Sequence, residues 1–350
     1  MNEIDIGYLP LTDAASLIAA VDFGFAEDEG LVLNLMREVS WANVRDRMMV
    51  GQIQAAHMLA PMAVATTLGI GHIRYDLTAP FILSLNGNAI TVSPDLADEM
   101  LVQNSHALNT MAASAAALGK IASKRRSRQL TFAVVFPFST HHYLLRRFLM
   151  SGGLDPDMDV EIVVLPPSYM VESLSKGLID GFCAGSPWNS VAVDQGKGVI
   201  LALGSEICPR APEKVLALPE NSPLLKNEAH QKLLRALVRA ARFVGEANNQ
   251  DRIAKALSRA DRLNSDERII LRTLRGDILL DQMQRKRNDP EFVVLSGAGV
   301  NRPLPEHGRW LYGEMLNARQ IEPRNQSLAI ARDVFATDIF DRAMAGETVL

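Results

Sequence analysis

The residues of this chain that could act on a ligand are hydrogen-bond donors placed at helix starts. Thr12-Asp13, Ser40-Trp41 and Ser139-Thr140-His141 each lead into a helical pattern. A helix N-terminus presents unpaired amide groups and about half a positive charge, so it favours a small anion. Two such ends facing each other would hold an anion between them; without that convergence they are ordinary capped helices. Thr12 is expected to cap its helix, with Asp13 in the positive first turn.

Most other chemistry is missing. The chain has no GxxxxGKS or GxxxxGKT loop for nucleotide phosphates, no HExxH and no GxSxG. Gly297-Ala298-Gly299 lacks the third glycine of a dinucleotide fingerprint and reads as a turn. Cys183 and Cys208 make neither a disulfide framework nor a zinc spacing, and the adjacent His141 and His142 cannot share one helix face. No catalytic residue, metal site or cofactor is expected, and the chain does not read as an enzyme.

Length and charge narrow the partners. At 350 residues, 48% of them hydrophobic and 22% charged, the chain can bury sizeable cores and is long enough for two domains. The net charge of −4 gives no general attraction to nucleic acid or to an anionic membrane. The basic runs Lys124-Arg125-Arg126-Ser127-Arg128 and Arg285-Lys286-Arg287 read as solvated loops. The nearly apolar stretch 55–71 contains His57 and Pro61 and falls short of the ~20 residues a membrane helix needs. Glu3, Asp5 and Asp13 precede the first basic residue, Arg37, so no export signal is expected and the expected location is the cytoplasm.

The elements that must position the donors alternate. Strands are expected near 4–9, 31–36, 55–59, 90–92, 130–136, 160–165 and 179–183. Helices are expected from Thr12, from Ser40, over 63–68, as one long helix from about 95 to 124, and over 141–150 and 169–176. From about 222 the pattern turns helical, through 229–246, 252–258 and 265–274, with a closing helix near 333–343. Strands separated by helices mean parallel βαβ units, hence an α/β protein of two lobes with a helical tail.

A specific resemblance covers nearly the whole chain. Ile6-Gly7-Tyr8-Leu9-Pro10-Leu11-Thr12-Asp13-Ala14-Ala15, Ser40-Trp41-Ala42-Asn43-Val44-Arg45-Asp46 and Ala56-His57-Met58-Leu59-Ala60-Pro61-Met62 resemble segments of the nitrate- and bicarbonate-binding proteins of ABC importers. Further segments follow in the same order. They are Leu85-Asn86-Gly87-Asn88-Ala89-Ile90, Ser139-Thr140-His141, Gly152-Gly153-Leu154-Asp155-Pro156-Asp157, Gly185-Ser186-Pro187-Trp188-Asn189 and Pro212-Glu213-Lys214-Val215.

The resemblance implies a type II periplasmic-binding-protein fold, two α/β lobes with ligand in the hinge cleft and a helical C-terminal extension. Lobe 1 would comprise 1–86 plus 187–350 and lobe 2 would comprise 87–186. It further implies that Trp41, Gly87, Asn88, His141 and Lys214 bind nitrate, with Thr12, Asp13, Thr140 and Trp188 as cleft lining. Asn88 stands where the family has glutamine, one methylene longer, which changes the donor distance at that point.

These types suit a flat oxyanion: an ammonium from Lys214, N–H groups from His141 and Asn88, and an indole wall from Trp41. Bicarbonate also carries a hydroxyl hydrogen and needs an acceptor, which a lysine at 214 does not supply. An anion beside His141 should favour its imidazolium, so binding should weaken as pH rises past neutrality. Several of these residues also have plainer readings. Trp41 fits a core aromatic, Lys214 a solvated loop lysine, Trp188 a wall or a packing residue, His57 a buried bonded histidine and Arg45 the partner of a neighbouring acid.

Combined with the expected location, the resemblance points to cytoplasmic nitrate/nitrite sensors of the NasS type. Such a sensor would close on the anion and release an RNA-binding antiterminator partner, NasT-like and of the ANTAR type, to switch on assimilation genes. The competing expectations are the substrate-binding component of a nitrate or related-anion ABC importer, and an enzyme built on the same fold.

Overall fold

The computed structural model of the chain describes residues 2–125 and 128–345, so Arg126 and Ser127 of the first basic run lie outside the described residues. The chain opens with β1 (Asn2–Tyr8), β2 (Leu31–Arg37), β3 (Ala55–Leu59) and β4 (Leu77–Asn86). On β1, Ile4, Ile6 and Tyr8 are buried while Glu3 is exposed, the two-residue alternation of a strand with one face on a core. β1 pairs in parallel with both β2 and β3, as the βαβ pattern requires.

The chain then builds a second sheet from β5 (Asn88–Val92), β6 (Leu130–Val134), β7 (Val160–Val164), β8 (Gly181–Gly185) and β9 (Val199–Leu203). Its order is β7-β6-β8-β5-β9, with β6, β7 and β8 parallel and β5 antiparallel to its neighbours. A last long strand, β10 (Pro212–Pro219), returns to the first sheet, whose order runs β4-β10-β3-β1-β2 with the short strand Val293–Val294 beyond β4. A short hairpin, β11 (Asp277–Leu279) with β12 (Lys286–Asn288), comes later.

By backbone contact the chain forms two units, Met1–Leu85 with Pro212–Leu271 and Val294–Leu350, and Asn86–Ala211 with Arg272–Val293. The sequence reading placed 187–211 and 272–293 in lobe 1; they pack in the second unit. β9 completes its sheet beside β5, and Ile278, Leu279, Leu280 and Phe292 share a core cluster with Ala89, Val193, Ile200 and Leu203.

Local signals decide several boundaries. Ser40, Ser93, Thr110 and Ser139 each accept a backbone N–H at a helix start. Thr12 does not cap: residues Thr12–Ala14 form a 3₁₀ turn entered from Leu11, and no side chain caps it or the following helix Ala15–Asp22. The expected long helix over 95–124 is two helices, Pro94–Gln103 and Met111–Lys124. Asn104 turns the chain by accepting the His106 N–H at 3.0 Å, and the Thr110 cap starts the second helix.

The helical part carries the amphipathic helix Ala229–Gly245, whose buried Leu233, Leu234, Leu237, Ala241 and Val244 repeat at three and four residues and pack on Ala15–Asp22. No helix among the described residues is long and apolar enough to cross a membrane.

Candidate functional site

In the first unit, four elements deliver ionisable or donor side chains to one buried place. The 3₁₀ turn after β1 brings Asp13, β3 brings His57, β10 brings Lys214, and the Ser40-capped helix Trp41–Met49 brings Trp41 as its first residue. His57 lies opposite Leu216, two positions from Lys214, so the period of the strand puts both on one face.

Asp13 bridges the two cations. Its Oδ2 is 2.8 Å from Lys214 Nζ and its Oδ1 is 2.9 Å from His57 Nε2. Lys214 Nζ also donates to Glu213. Neighbouring strand residues normally point to opposite faces; irregular register around Lys214 on β10 lets both side chains meet. The Trp41 ring completes the group, 5.2 Å from Lys214 Nζ and 5.4 Å from the His57 ring, centroid to centroid. Lys214, His57 and Glu213 are 0% exposed and Trp41 is 1% exposed. The Trp41 indole N–H and both ring nitrogens of His57 are buried without a hydrogen bond, and His57 meets Asp13 through the 2.9 Å approach of its Nε2.

The charges follow from this geometry. Burial pushes the Asp13 carboxyl up, but Lys214 and His57 pull it far below the usual carboxylate range, so it is ionised. Burial lowers the Lys214 ammonium, and Asp13 with Glu213 more than restores it, leaving it raised. For His57 burial wins over Asp13, and the ring is held below its ordinary value, hence neutral. The cluster is an ammonium already flanked by carboxylates, with a neutral imidazole in reserve.

In the second unit the expected residues gather at the end of the sheet where β6 and β8 finish. The chain turns there through Asn86 (φ 57°) and Gly87 (φ 95°), two successive left-handed residues. Asn88 starts β5 opposite Gly185, and Gly87 accepts the Ser186 N–H at 2.9 Å. Ser139 Oγ accepts the His142 N–H at 3.1 Å and donates to Phe136 at 2.6 Å, fixing the start of the helix Thr140–Ser151. Thr140, His141 and Asn88 are all fully buried. Trp188 opens the helix Trp188–Asp194, and its indole N–H is buried without a partner. Asn189 ties that helix to the sheet by donating to Ala184 at 2.6 Å and accepting from Thr91 at 2.7 Å.

Every expected site residue therefore falls in one of two places: Thr12, Asp13, Trp41 and Lys214 in the first unit, and Gly87, Asn88, Thr140, His141 and Trp188 in the second. Arg45 pairs with Asp46 at 2.8 Å, as expected of it. The sequence reading missed the role of Glu213 and the bridge from His57 to Asp13. A histidine inside the otherwise apolar strand Ala55–Leu59 was the available signal. The plainer reading of Lys214 as a solvated loop lysine is overturned: it is fully buried on β10. No group of three or more His, Cys, Asp or Glu able to hold a metal occurs among the described residues.

Known proteins are similar to this chain in sequence and fold. The nitrate import ATP-binding protein NrtC of Synechocystis sp. is 35% identical over 257 residues, which is 73% of this chain and 37% of that protein. The bicarbonate transport ATP-binding protein CmpC of Synechococcus elongatus is 30% identical over 328 residues, 92% of this chain and 46% of that protein. The chain thus spans less than half the length of these two relatives. The nitrate/nitrite binding protein NrtA of Nostoc sp. is 27% identical over 343 residues, 97% of this chain and 76% of that protein.

Among solved structures, the periplasmic nitrate-binding protein NrtA of Synechocystis PCC 6803 superposes with a TM-score of 0.92 at 24% identity, covering 100% of this chain and 90% of that one. The fold is thus the two-lobed α/β fold of periplasmic binding proteins. Residues 1–258 match the NMT1-like family, and the chain belongs to that family.

Proposed function

We propose that the chain binds nitrate or nitrite as the substrate-binding part of an ABC-type import system. It is a binding protein and not an enzyme. The observation that carries the reading is the buried pair of Trp41 and Lys214, with an indole N–H left unbonded beside an ammonium. An indole donor and a cation next to a flat apolar wall are what a weakly hydrated planar monoanion requires. The nitrate/nitrite binding relative, aligned over 97% of this chain, supports the same ligand.

Bicarbonate is the rival anion. The argument that Lys214 leaves no acceptor for its hydroxyl loses force, since Asp13 and Glu213 both stand against Lys214. Titration calorimetry with nitrate, nitrite, bicarbonate and sulfate separates them. Nitrate should bind, and Trp41→Phe, which keeps the ring and removes the N–H, should weaken it about tenfold to a hundredfold. At a ceiling of about −1.5 kcal/mol per heavy atom, a four-atom ion reaches dissociation constants of roughly tens of micromolar. Absence of heat with both nitrate and nitrite sinks the reading.

A second reading keeps the ligand and changes the partner: a cytoplasmic nitrate/nitrite sensor that releases an ANTAR-type antiterminator when the anion binds. It carries over the expectation drawn from the sequence and shares the buried pair of Trp41 and Lys214 with the first reading. Under this reading the partner and nitrate weaken each other's binding by one common factor. Equal nitrate affinities with and without saturating antiterminator count against it.

A further inference from the structure

The first unit holds a titratable group that neither reading uses. His57 is fully buried on β3, with Nε2 2.9 Å from Asp13 Oδ1 and with Nδ1 buried and unbonded. We propose that His57, backed by Asp13, takes up a proton when the anion binds, so that this pair is the charge-adjusting part of the site. The proposal rests on Lys214 and Trp41 being anion contacts, and it deepens that reading.

Lys214 meets an incoming anion with Asp13 and Glu213 already against its ammonium. Adding negative charge to a buried group of carboxylates is costly unless a positive charge arrives with it. His57 can supply that charge without moving. One ring nitrogen faces the carboxylate that would balance an imidazolium, and the other, buried and unbonded, has a lone pair no donor uses. The ring lies 5.4 Å from the Trp41 ring, tilted by 50°, so the new charge appears beside the indole. The step is simple: a neutral imidazole and one proton from solvent give an imidazolium, which pairs with the anion, and no bond to the anion forms.

The groups around His57 leave it as the site of the change. β10 faces it with Glu213 and Lys214, and the turn after β1 faces it with Asp13. On the helix Trp41–Met49, Arg45 pairs with Asp46 at 2.8 Å and Arg47 pairs with Glu38. On β1, Asp5 accepts from Asn34 at 2.9 Å. β4 and the helix Ala60–Leu68 carry no ionisable side chain.

Before binding, desolvation holds the ring neutral against the pull of Asp13. A bound anion raises its pKa. Between the free and bound values, affinity falls up to tenfold for each unit of rising pH.

The test is nitrate titration calorimetry near about pH 6, 7 and 8, each in phosphate and in Tris, whose different ionisation heats reveal the protons taken up. The expected result is uptake approaching about one proton per nitrate, lost in His57→Gln and kept in a control at the exposed His106, His106→Gln. Ring-labelled histidine NMR on the unaltered protein guards against a variant that fails to fold: one buried imidazole should move to the imidazolium position on adding nitrate. Nitrate binding with no proton uptake, or uptake kept in His57→Gln, or uptake lost in His106→Gln, overturns the proposal alone. No heat with nitrate and none with nitrite overturns the functional reading, and the proposal with it.

Discussion

Lys214 holds its ammonium between Asp13 and Glu213 in a place that is 0% exposed. Lys214→Ala removes the cation and leaves the carboxylates buried without it, which costs about 3–5 kcal/mol. Urea denaturation should show that loss, and adding Asp13→Asn to the variant should recover part of it. A loss within about 1 kcal/mol would mean that water reaches the cluster. His307 is a second test at this scale. Burial lowers its pKa to about 4, against a small opposing effect of Glu306, and its Nδ1 accepts the Leu304 N–H at 3.2 Å.

A histidine depressed in the folded chain favours folding above its unfolded value, about 6.5, and that contribution fades as pH falls toward the folded value. The stability of the natural chain relative to His307→Gln should therefore drop by about 2 kcal/mol between about pH 7 and 5. A difference that stays constant with pH would place the ring in solvent.

Among the elements, the helices Met111–Lys124 and Thr140–Ser151 touch backbone to backbone. A Cβ on Gly119 would stand 2.0 Å from the Gly152 carbonyl oxygen, and one on Gly152 would stand 2.2 Å from that of Ala115. Gly119→Ala should cost about 1–3 kcal/mol, read as a lowered midpoint of unfolding, and an unchanged midpoint would deny the contact. Asn86 works differently: its side chain accepts the Ala211 N–H at 2.9 Å and donates to the Glu291 carbonyl at 2.9 Å, joining three distant stretches of chain.

Much of this layer was legible in the sequence. Ser40 and Ser139 reveal their helices because a cap acts within three residues. β10 was invisible, because Pro-Glu-Lys followed by Val-Leu-Ala-Leu mixes charge with apolar residues and shows no alternation when both faces are buried. The Asp13–His57 bridge could not be read either, since 44 residues of chain separate partners that only the sheet order brings together.

For the molecule as a whole, a ligand that binds only the folded chain must stabilise it. Nitrate at a hundred times its dissociation constant adds about 2.7 kcal/mol, a few degrees in a thermal scan, and sulfate should add nothing comparable. The basic runs are not simply solvated loops: Lys124 ends a helix, and Lys286 and Arg287 lie on β12. Lys124 donates to Gln103, Arg125 pairs with Glu99, Arg128 with Asp180, Arg285 with Asp281 and Arg287 with Glu206, so these cations are committed within the fold.

The way the chain weaves also matters for anyone trimming it. The family match stops at 258, yet the hairpin that follows belongs to the unit built mainly from 86–211, where Phe292 is 1% exposed and Ile278 is 1% exposed. A gene shortened to the matched stretch would strip that unit of its lid of hydrocarbon while leaving its sheet whole. The product should be made in the cell and then collect in inclusion bodies, however sound its conserved portion looks on paper.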